Sequence, residues 1–328
     1  MSAENTPALR GFSESADFCG LFQVPVEAVE VLDKIAPASK RRALSAVKNP
    51  AAFTSDEIKL AGGDALELYR GGFINKLENE GLFALADFYT RLDVFVISER
   101  EVYESFPAKT RKSLDEWYFV KYYERLTISA EERPTADAVL TLEEALERVR
   151  KEDREACLTN CDCRSLAASI NGCAAPLLTC ISFRQGPNTL KDRGASTPIT
   201  KEKAAAILRK ADEDGLVHTA GESVICNCCA DCCYLSRAKT KRDAELKKMG
   251  GDFLSWPKIS KRIKADFEKC VLCGLCEERC PFRLFDCAKK QVNESGCVGC
   301  SLCVNFCPSG ALSLEKLEPQ PLQFNLRF

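Results

Sequence analysis

Apolar residues in the first 130 positions recur with two different periods. After Pro25, whose fixed backbone angle suits a first helical turn, Ala28, Val31, Leu32 and Ile35 fall at helical spacing. Thr54 and Glu57 form a capping-box pair ahead of a short helix that Gly62 and Gly63 end. Asp64 predicts the cap of a helix running to Gly81, with Leu66, Tyr69, Phe73 and Leu77 on one face. Gly71 and Gly72 weaken its middle by about 1 kcal/mol each. Leu82 to Tyr89 and Leu92 to Ile97, rich in aromatic and β-branched residues, predict a two-stranded hairpin, and Ser98 with Glu101 predicts the start of a further helix.

Helix, helix, helix, hairpin is the order of a winged-helix domain, so residues 1–130 are expected to be winged-helix-like. Its third helix would carry Asp64, Glu67, Glu78 and Glu80 against Arg70 and Lys76, and residues 1–130 hold 16 Lys and Arg against 20 Asp and Glu. A helix that enters a DNA groove needs a basic footprint. No nucleic-acid partner is therefore expected, and a docking or structural role is. Thr127 to Asp137, with Pro134, predicts a linker.

From about residue 136 to 240 the pattern changes. Thr141 and Glu144 cap a helix with Leu142, Ala145, Leu146 and Val149 on its apolar face. Thr200 opens a second helix, from Lys201 to Asp214, which Gly215 ends, and Leu216 to His218 predicts a short strand. Cysteines crowd around these elements: Cys157, Cys161, Cys163, Cys173 and Cys180, then Cys226, Cys228, Cys229, Cys232 and Cys233. Adjacent cysteines point in different directions, so a run such as 226–233 seldom gives every thiolate to one cubane. Some of these thiolates are expected to hold metal with partners from the 157–180 segment. Iron–sulfur clusters, one or two of them, are the leading expectation. Zinc and a redox-active thiol arrangement are the alternatives. His218, the chain's one histidine, is a structural residue or a ligand that tunes this centre.

Residues 255–328 contain an internal repeat. Cys270, Cys273, Cys276 and Cys280-Pro281 are followed by Cys297, Cys300, Cys303 and Cys307-Pro308, each at spacing C-x2-C-x2-C-x3-C-P. Such a loop wraps three thiolates around one cubane while the fourth reaches the other cluster. One [4Fe–4S] cluster is thus expected on Cys270, Cys273, Cys276 and Cys307, and a second on Cys297, Cys300, Cys303 and Cys280. Cys287 lies outside the pattern and reads as a spare buried thiol.

Composition narrows the setting. The chain has 20 cysteines, 45% hydrophobic residues and a net charge of −2. There is no apolar run near the roughly 20 residues a membrane-spanning helix needs, and no basic-then-apolar leader, so no membrane insertion and a cytoplasmic location are expected. Ser236 to Lys269 carries eleven Lys and Arg against five acids, which reads as a solvated linker or as a landing patch for an acidic redox partner. No GxGxxG, phosphate-binding loop or hydrolase triad is present.

Residues 257–316 resemble bacterial two-cluster ferredoxins, with Arg262 to Asp266 and Ala311 to Leu314 matching that fold's flanking strands. The middle region is similar to a domain of poorly characterised anaerobe proteins that precedes a dicluster ferredoxin. The resemblance rests on Cys161-Asp162-Cys163-Arg164, Cys173-x2-Pro176-x3-Cys180, Gly215-Leu216-Val217-His218 and Ile225-Cys226-Asn227-Cys228-Cys229. It implies a component of anaerobic redox metabolism. The whole is expected to be an α+β multidomain protein that relays electrons between protein donor and acceptor, alone or as a subunit of a larger complex. An oxidoreductase with a catalytic centre in the middle domain, or a redox-sensing winged-helix regulator, are the other function classes.

Overall fold

Helix caps and glycines set most of the element boundaries in this computed structural model, which describes residues 18–79, 81–132, 138–248 and 259–317. The chain gathers into two units. One is built from the described residues up to 121 with 165–170 and 185–197; the other from 122–164, 171–184 and 198 onwards. Both helix and sheet are present, as the α+β expectation required.

In the first unit a 3-10 turn, Val26–Val31, runs into α1 (Leu32–Ile35), and α2 (Ala38–Ser45) follows. The Thr54–Glu57 capping box forms as predicted and opens α3 (Ser55–Leu60) after β1 (Phe53–Thr54). Asp64 caps α4 (Ala65–Arg70), its side chain accepting from Glu67 N at 2.8 Å. This helix does not run to Gly81. Gly72, at φ 74°, ends it, and Phe73 leads into β2 (Ile74–Lys76). The hairpin pairs β2 with β3 (Leu82–Leu85) in the register Ile74↔Leu85 and Lys76↔Phe83, and β1 joins the outer side of β3.

The second expected strand is instead a helix, α5 (Phe88–Ser98). Asp87 accepts from Thr90 N at 2.8 Å as its cap, and Phe88, Leu92 and Phe95 are buried at spacings of four and three. Tertiary burial has overridden strand propensity. Arg91, 0% exposed, fixes α5 by donating to Ile35 O at 2.7 Å and Gly71 O at 2.8 Å. Ser98 is the last residue of α5 and not a cap; α6 (Arg100–Glu104) starts without a side-chain cap. The helix α7 (Ala108–Glu132) continues through the first half of the predicted linker, whose remaining residues, 133–137, lie outside the described residues.

The second unit is organised by a six-stranded sheet in the order β4-β8-β9-β6-β5-β7. Its strands are β4 (Ala138–Leu140), β5 (Ala156–Asn160), β6 (Leu178–Ser182), β7 (Thr197–Ile199), β8 (Val217–Gly221) and β9 (Val224–Cys228). The helices α8 (Leu142–Lys151) and α10 (Lys201–Glu213) supply Ala145, Val149, Ala204 and Leu208 to a core shared with Ala156, Leu158, Ile181, Phe183, Ala220 and Ile225. Side chains alternate along a strand. Since Ile181 and Ile225 face the helices, Cys180, Cys226 and Cys228 stand on the opposite face. His218 pairs across the ladder with Asn227 on the helix side.

Between these strands lies α9 (Asp162–Asn171), and after them α11 (Tyr234–Lys248). The first part of the basic segment is therefore helix rather than linker; residues 249–258 lie outside the described residues. In the C-terminal part β10 (Lys261–Ala265) pairs antiparallel with β13 (Leu312–Lys316), within two residues of the expected flanking strands. Between them come α12 (Leu275–Arg279), the short pair β11 (Phe285–Asp286) and β12 (Gln291–Val292), and α13 (Leu302–Asn305). This part packs on the sheet. Val298, Leu302 and the half-buried Phe282 and Cys300 meet Val139 and Val217, and Lys261 pairs with Glu144.

The Asp87 cap of α5 is open to test. Replacing Asp87 with Ala should cost about 1 kcal/mol of stability in a denaturant titration, the usual value of a lost cap. A strand at 88–98 would leave stability unchanged.

Candidate metal centres

The repeat predicted in the C-terminal part is a repeat of backbone shape. Leu272 and Gly299 take φ of 56° and 75°, Gly274 and Ser301 78° and 67°, and Arg283 and Gly310 52° and 64°. Left-handed angles cost a non-glycine residue roughly 1–2 kcal/mol, so Leu272, Arg283 and Ser301 mark loops whose shape is imposed by what they surround. Gly299 has a further reason. A Cβ there would stand 2.5 Å from Lys261 O in β10.

These loops bring the eight cysteines together in two sets. Cys270, Cys273, Cys276 and Cys307 line one cavity, while Cys297, Cys300, Cys303 and Cys280 line the other. The crossing-over of Cys280 and Cys307 is thus present in the geometry. Backbone N–H groups of Ile263 and Gly299 each point at Cys297 Sγ, at 3.3 Å. Burial pushes the Cys300 thiol up to about 12, with Cys297 and Cys280 adding repulsion. A bound metal core removes that penalty by taking the thiols as thiolates. Ser301 Oγ, buried and lining the second cavity, has no hydrogen-bond partner among the described residues, and a cluster sulfide would give it one. Both cavities fit a [4Fe–4S] group in donor type and number. Cys287 is only half buried. It lines the first cavity with its Sγ 3.5 Å from Cys276 Sγ, so it is less a spare core thiol than a fifth sulfur beside the first set.

The middle region arranges its thiols differently. Six of them touch in a closed ring running Cys161, Cys163, Cys233, Cys228, Cys226, Cys180 and back to Cys161. Cys180, Cys226 and Cys228 come from the sheet face that strand alternation exposes. Cys161 and Cys233 stand at the helix starts of α9 and α11, where Cys161 Sγ accepts from Arg164 N at 3.4 Å and Cys233 from Ser236 N. Ser, Thr, Asn or Asp normally fills such a position, and here a sulfur does. The direction in which each thiol's pKa is moved alternates around the ring. Hydrogen bonds from Cys163 hold Cys161 and Cys233 well down, and the one from Cys180 holds Cys226 down to about 5. Cys163, Cys228 and Cys180 are pushed up as the donors.

Arg164 is the cation that makes this charge tolerable. It is 0% exposed, and its guanidinium donates to Pro176 O, to Thr179 Oγ1 at 3.2 Å and to Asn227 O at 2.7 Å. Burial opposes its charge, but Cys161, Cys229 and Cys180 outweigh burial and keep it protonated. Its Nε has no hydrogen-bond partner among the described residues. The motif Cys161-Asp162-Cys163-Arg164 held the signal, since a cation directly after two closely spaced cysteines is already a charge balance.

Cys173, Cys229 and Cys232 form a second, smaller group, all three thiols lying within 4.8 Å of one another. Cys157, 1% exposed, sits on β5 opposite Ser182. His218 is not brought to the thiols. Its Nδ1 lies 2.6 Å from Asn227 Oδ1, and its Nε2 is 3.6 Å from Asp212 Oδ1 on the helix side of the sheet. None of the 20 cysteines is in a disulfide.

A family model described as 4Fe-4S binding domain matches residues 263–284 and 290–313, the two halves of the repeat. No curated protein and no solved structure gives a significant match to the chain. Among the described residues no helix is long and apolar enough to cross a membrane.

Arg164→Gln, which keeps most of the bulk and loses the charge, should destabilise the protein by about 3–5 kcal/mol, the usual result of leaving buried charge unpaired. Denaturant unfolding should show a lower midpoint. An unchanged midpoint would mean that the thiols carry no charge that needs Arg164.

Proposed function

We propose that the protein is an iron–sulfur electron carrier whose C-terminal pair of [4Fe–4S] clusters exchanges electrons with a metal–thiolate centre in the middle region. The observation that carries this reading is the position of Val217. It packs with Val298, Leu302 and Cys300 at the second four-cysteine cavity, and its cross-strand partner is Cys228 of the six-thiol ring. One strand therefore separates the two sets of sulfur. A polar chain supports the same path. Asn305, two residues after Cys303, donates to Asp212 Oδ2 at 3.3 Å; Asp212 faces His218, and His218 bonds Asn227, which lies between Cys226 and Cys228.

Bound in the two cavities, the clusters supply low-potential one-electron transfer. At the second cavity the backbone N–H groups of Ile263 and Gly299, donating to Cys297, set the hydrogen bonding at sulfur, while Cys273 leaves the first cavity open towards solvent. Cys270, Cys273, Cys276 and Cys307 hold the first cluster; Cys297, Cys300, Cys303 and Cys280 hold the second. The ring cysteines hold the middle centre, in one fold region of residues 136–240 beside a ferredoxin-type region of 255–328.

Residues 1–130 are a winged-helix-like docking domain in this reading. The order of helices followed by the β2–β3 hairpin, with β1 completing the sheet, supports it. The acidic balance of the region favours a protein partner over nucleic acid. Donor and acceptor are redox proteins in anaerobic metabolism, and the carrier works in the cytoplasm.

The test is an iron and acid-labile sulfide count on anaerobically purified full-length protein, paired with low-temperature electron paramagnetic resonance after reduction. The C-terminal cavities should contribute eight irons and eight sulfides. Cys280→Ser should damage the signal of the cluster held by Cys297, Cys300 and Cys303 and spare the other. Zinc without sulfide in these cavities, or a Cys280→Ser defect confined to the other cluster, would contradict the reading.

A further inference from the structure

Of the four middle-region thiols outside the ring, Cys157 stands apart on β5 and the other three form a set of their own. Cys173 Sγ and Cys229 Sγ are 3.7 Å apart, Cys232 lies within reach of both, and these contacts close on themselves without a ring member. On the reading that the middle-region thiols hold metal, we propose that Cys173, Cys229 and Cys232 bind a single divalent ion of zinc type through three thiolates, with its fourth position open to solvent or a small ligand.

Spacing argues for one ion. A tetrahedral centre with metal–sulfur bonds of about 2.3 Å sets its thiolates about 3.8 Å apart, close to the 3.7 Å between Cys173 and Cys229, with Cys232 within 4.8 Å of both. Thiolates on different irons of a cubane are spread wider. The second C-terminal cavity shows that contrast, since Cys280, Cys297, Cys300 and Cys303 are set around a volume there.

Coordination argues for the open position. Among the described residues no fourth cysteine, histidine or carboxylate joins the three. Cys232 is 0% exposed, whereas Cys173 and Cys229 are half buried, so the free side of the triad faces outward. Closed structural zinc sites use four protein ligands, and sites with three keep a place for water or substrate. The surroundings are those of a held triad. Asn171 Nδ2 donates to Asp231 O at 3.0 Å and lies 3.9 Å from Cys232 Sγ, while Arg164 hydrogen-bonds Cys229. Three thiolates on a divalent ion leave one net negative charge, and Arg164 is beside it.

The experiment uses the full-length protein purified anaerobically with Zn²⁺ supplied. Cys173→Ser and Cys232→Ser should each lose one zinc per chain. Zinc-edge X-ray absorption of the unaltered protein should change when ethanethiol is added, and that change should vanish in Cys232→Ser. In the unaltered protein, a chelator should sharply raise the iodoacetamide reactivity of Cys173 and Cys229. Folded variants with undiminished zinc, a spectrum indifferent to ethanethiol, a Cys173–Cys229 disulfide, or alkylation rates that the chelator does not alter would each overturn the proposal. Iron and sulfide are counted in the same samples. Failure of the electron-transfer reading would appear as missing iron, and failure of this site as zinc that the substitutions do not move.

Discussion

The middle region depends on one buried cation. Nine thiols in two sets, five of them buried, cannot become anions together without compensation, since an unpaired buried charge is among the costliest features a fold can carry. Arg164 supplies the compensation from the centre. Its hydrogen bonds to Pro176 O, Thr179 Oγ1 and Asn227 O fasten the loop before β6, the strand itself and the end of β9 to the start of α9. The segments that deliver the cysteines are thus held by the group that balances their charge. Structure and electrostatics have the same origin here, and a metal taken up by the thiolates would add to that balance.

How much could be read in advance follows from how local each determinant is. Three cysteines of each C-terminal set are spaced by single turns of loop, so their grouping was legible from local spacing, while the crossing of Cys280 and Cys307 to the other set was legible only through the repeat pattern itself. Strands β10 and β13, which pair across about fifty residues, were legible through the resemblance to two-cluster ferredoxins and not through local pattern. The six-thiol ring was not, because Cys180, Cys226 and Cys228 reach it through the pairing of β6 with β9 and through strand alternation. Neither is fixed by cysteine spacing. For His218 nearness to cysteines in sequence left both a structural and a ligand role open, and the register Val217↔Cys228 and His218↔Asn227 turns it to the face away from the thiols.

The first unit was misread for the converse reason. Tyr89, Val94, Val96 and Ile97 favour strands as isolated residues, yet the Asp87 cap and the buried faces of Phe88, Leu92 and Phe95 make 88–98 helical. In the other direction, Gly71 and Gly72 were counted as weaknesses within a helix when they are its end. The caps at Thr54, Asp64, Thr141 and Thr200 were read correctly, since a cap is a contact three residues long.

Two kinds of sulfur environment therefore lie on one sheet. The C-terminal cavities space their cysteines around a volume, and the middle region brings its cysteines into contact. Val217 and the Asn305–Asp212–His218–Asn227 chain lie between them. The central claim is that both environments hold metal and together form one path for electrons. Anomalous X-ray scattering from anaerobically grown crystals, collected on either side of the iron and zinc edges, tests it most directly. The account predicts iron in both C-terminal cavities and metal within the thiols of the middle region. Iron in the C-terminal cavities alone, with the ring cysteines metal-free or joined as disulfides, would contradict it.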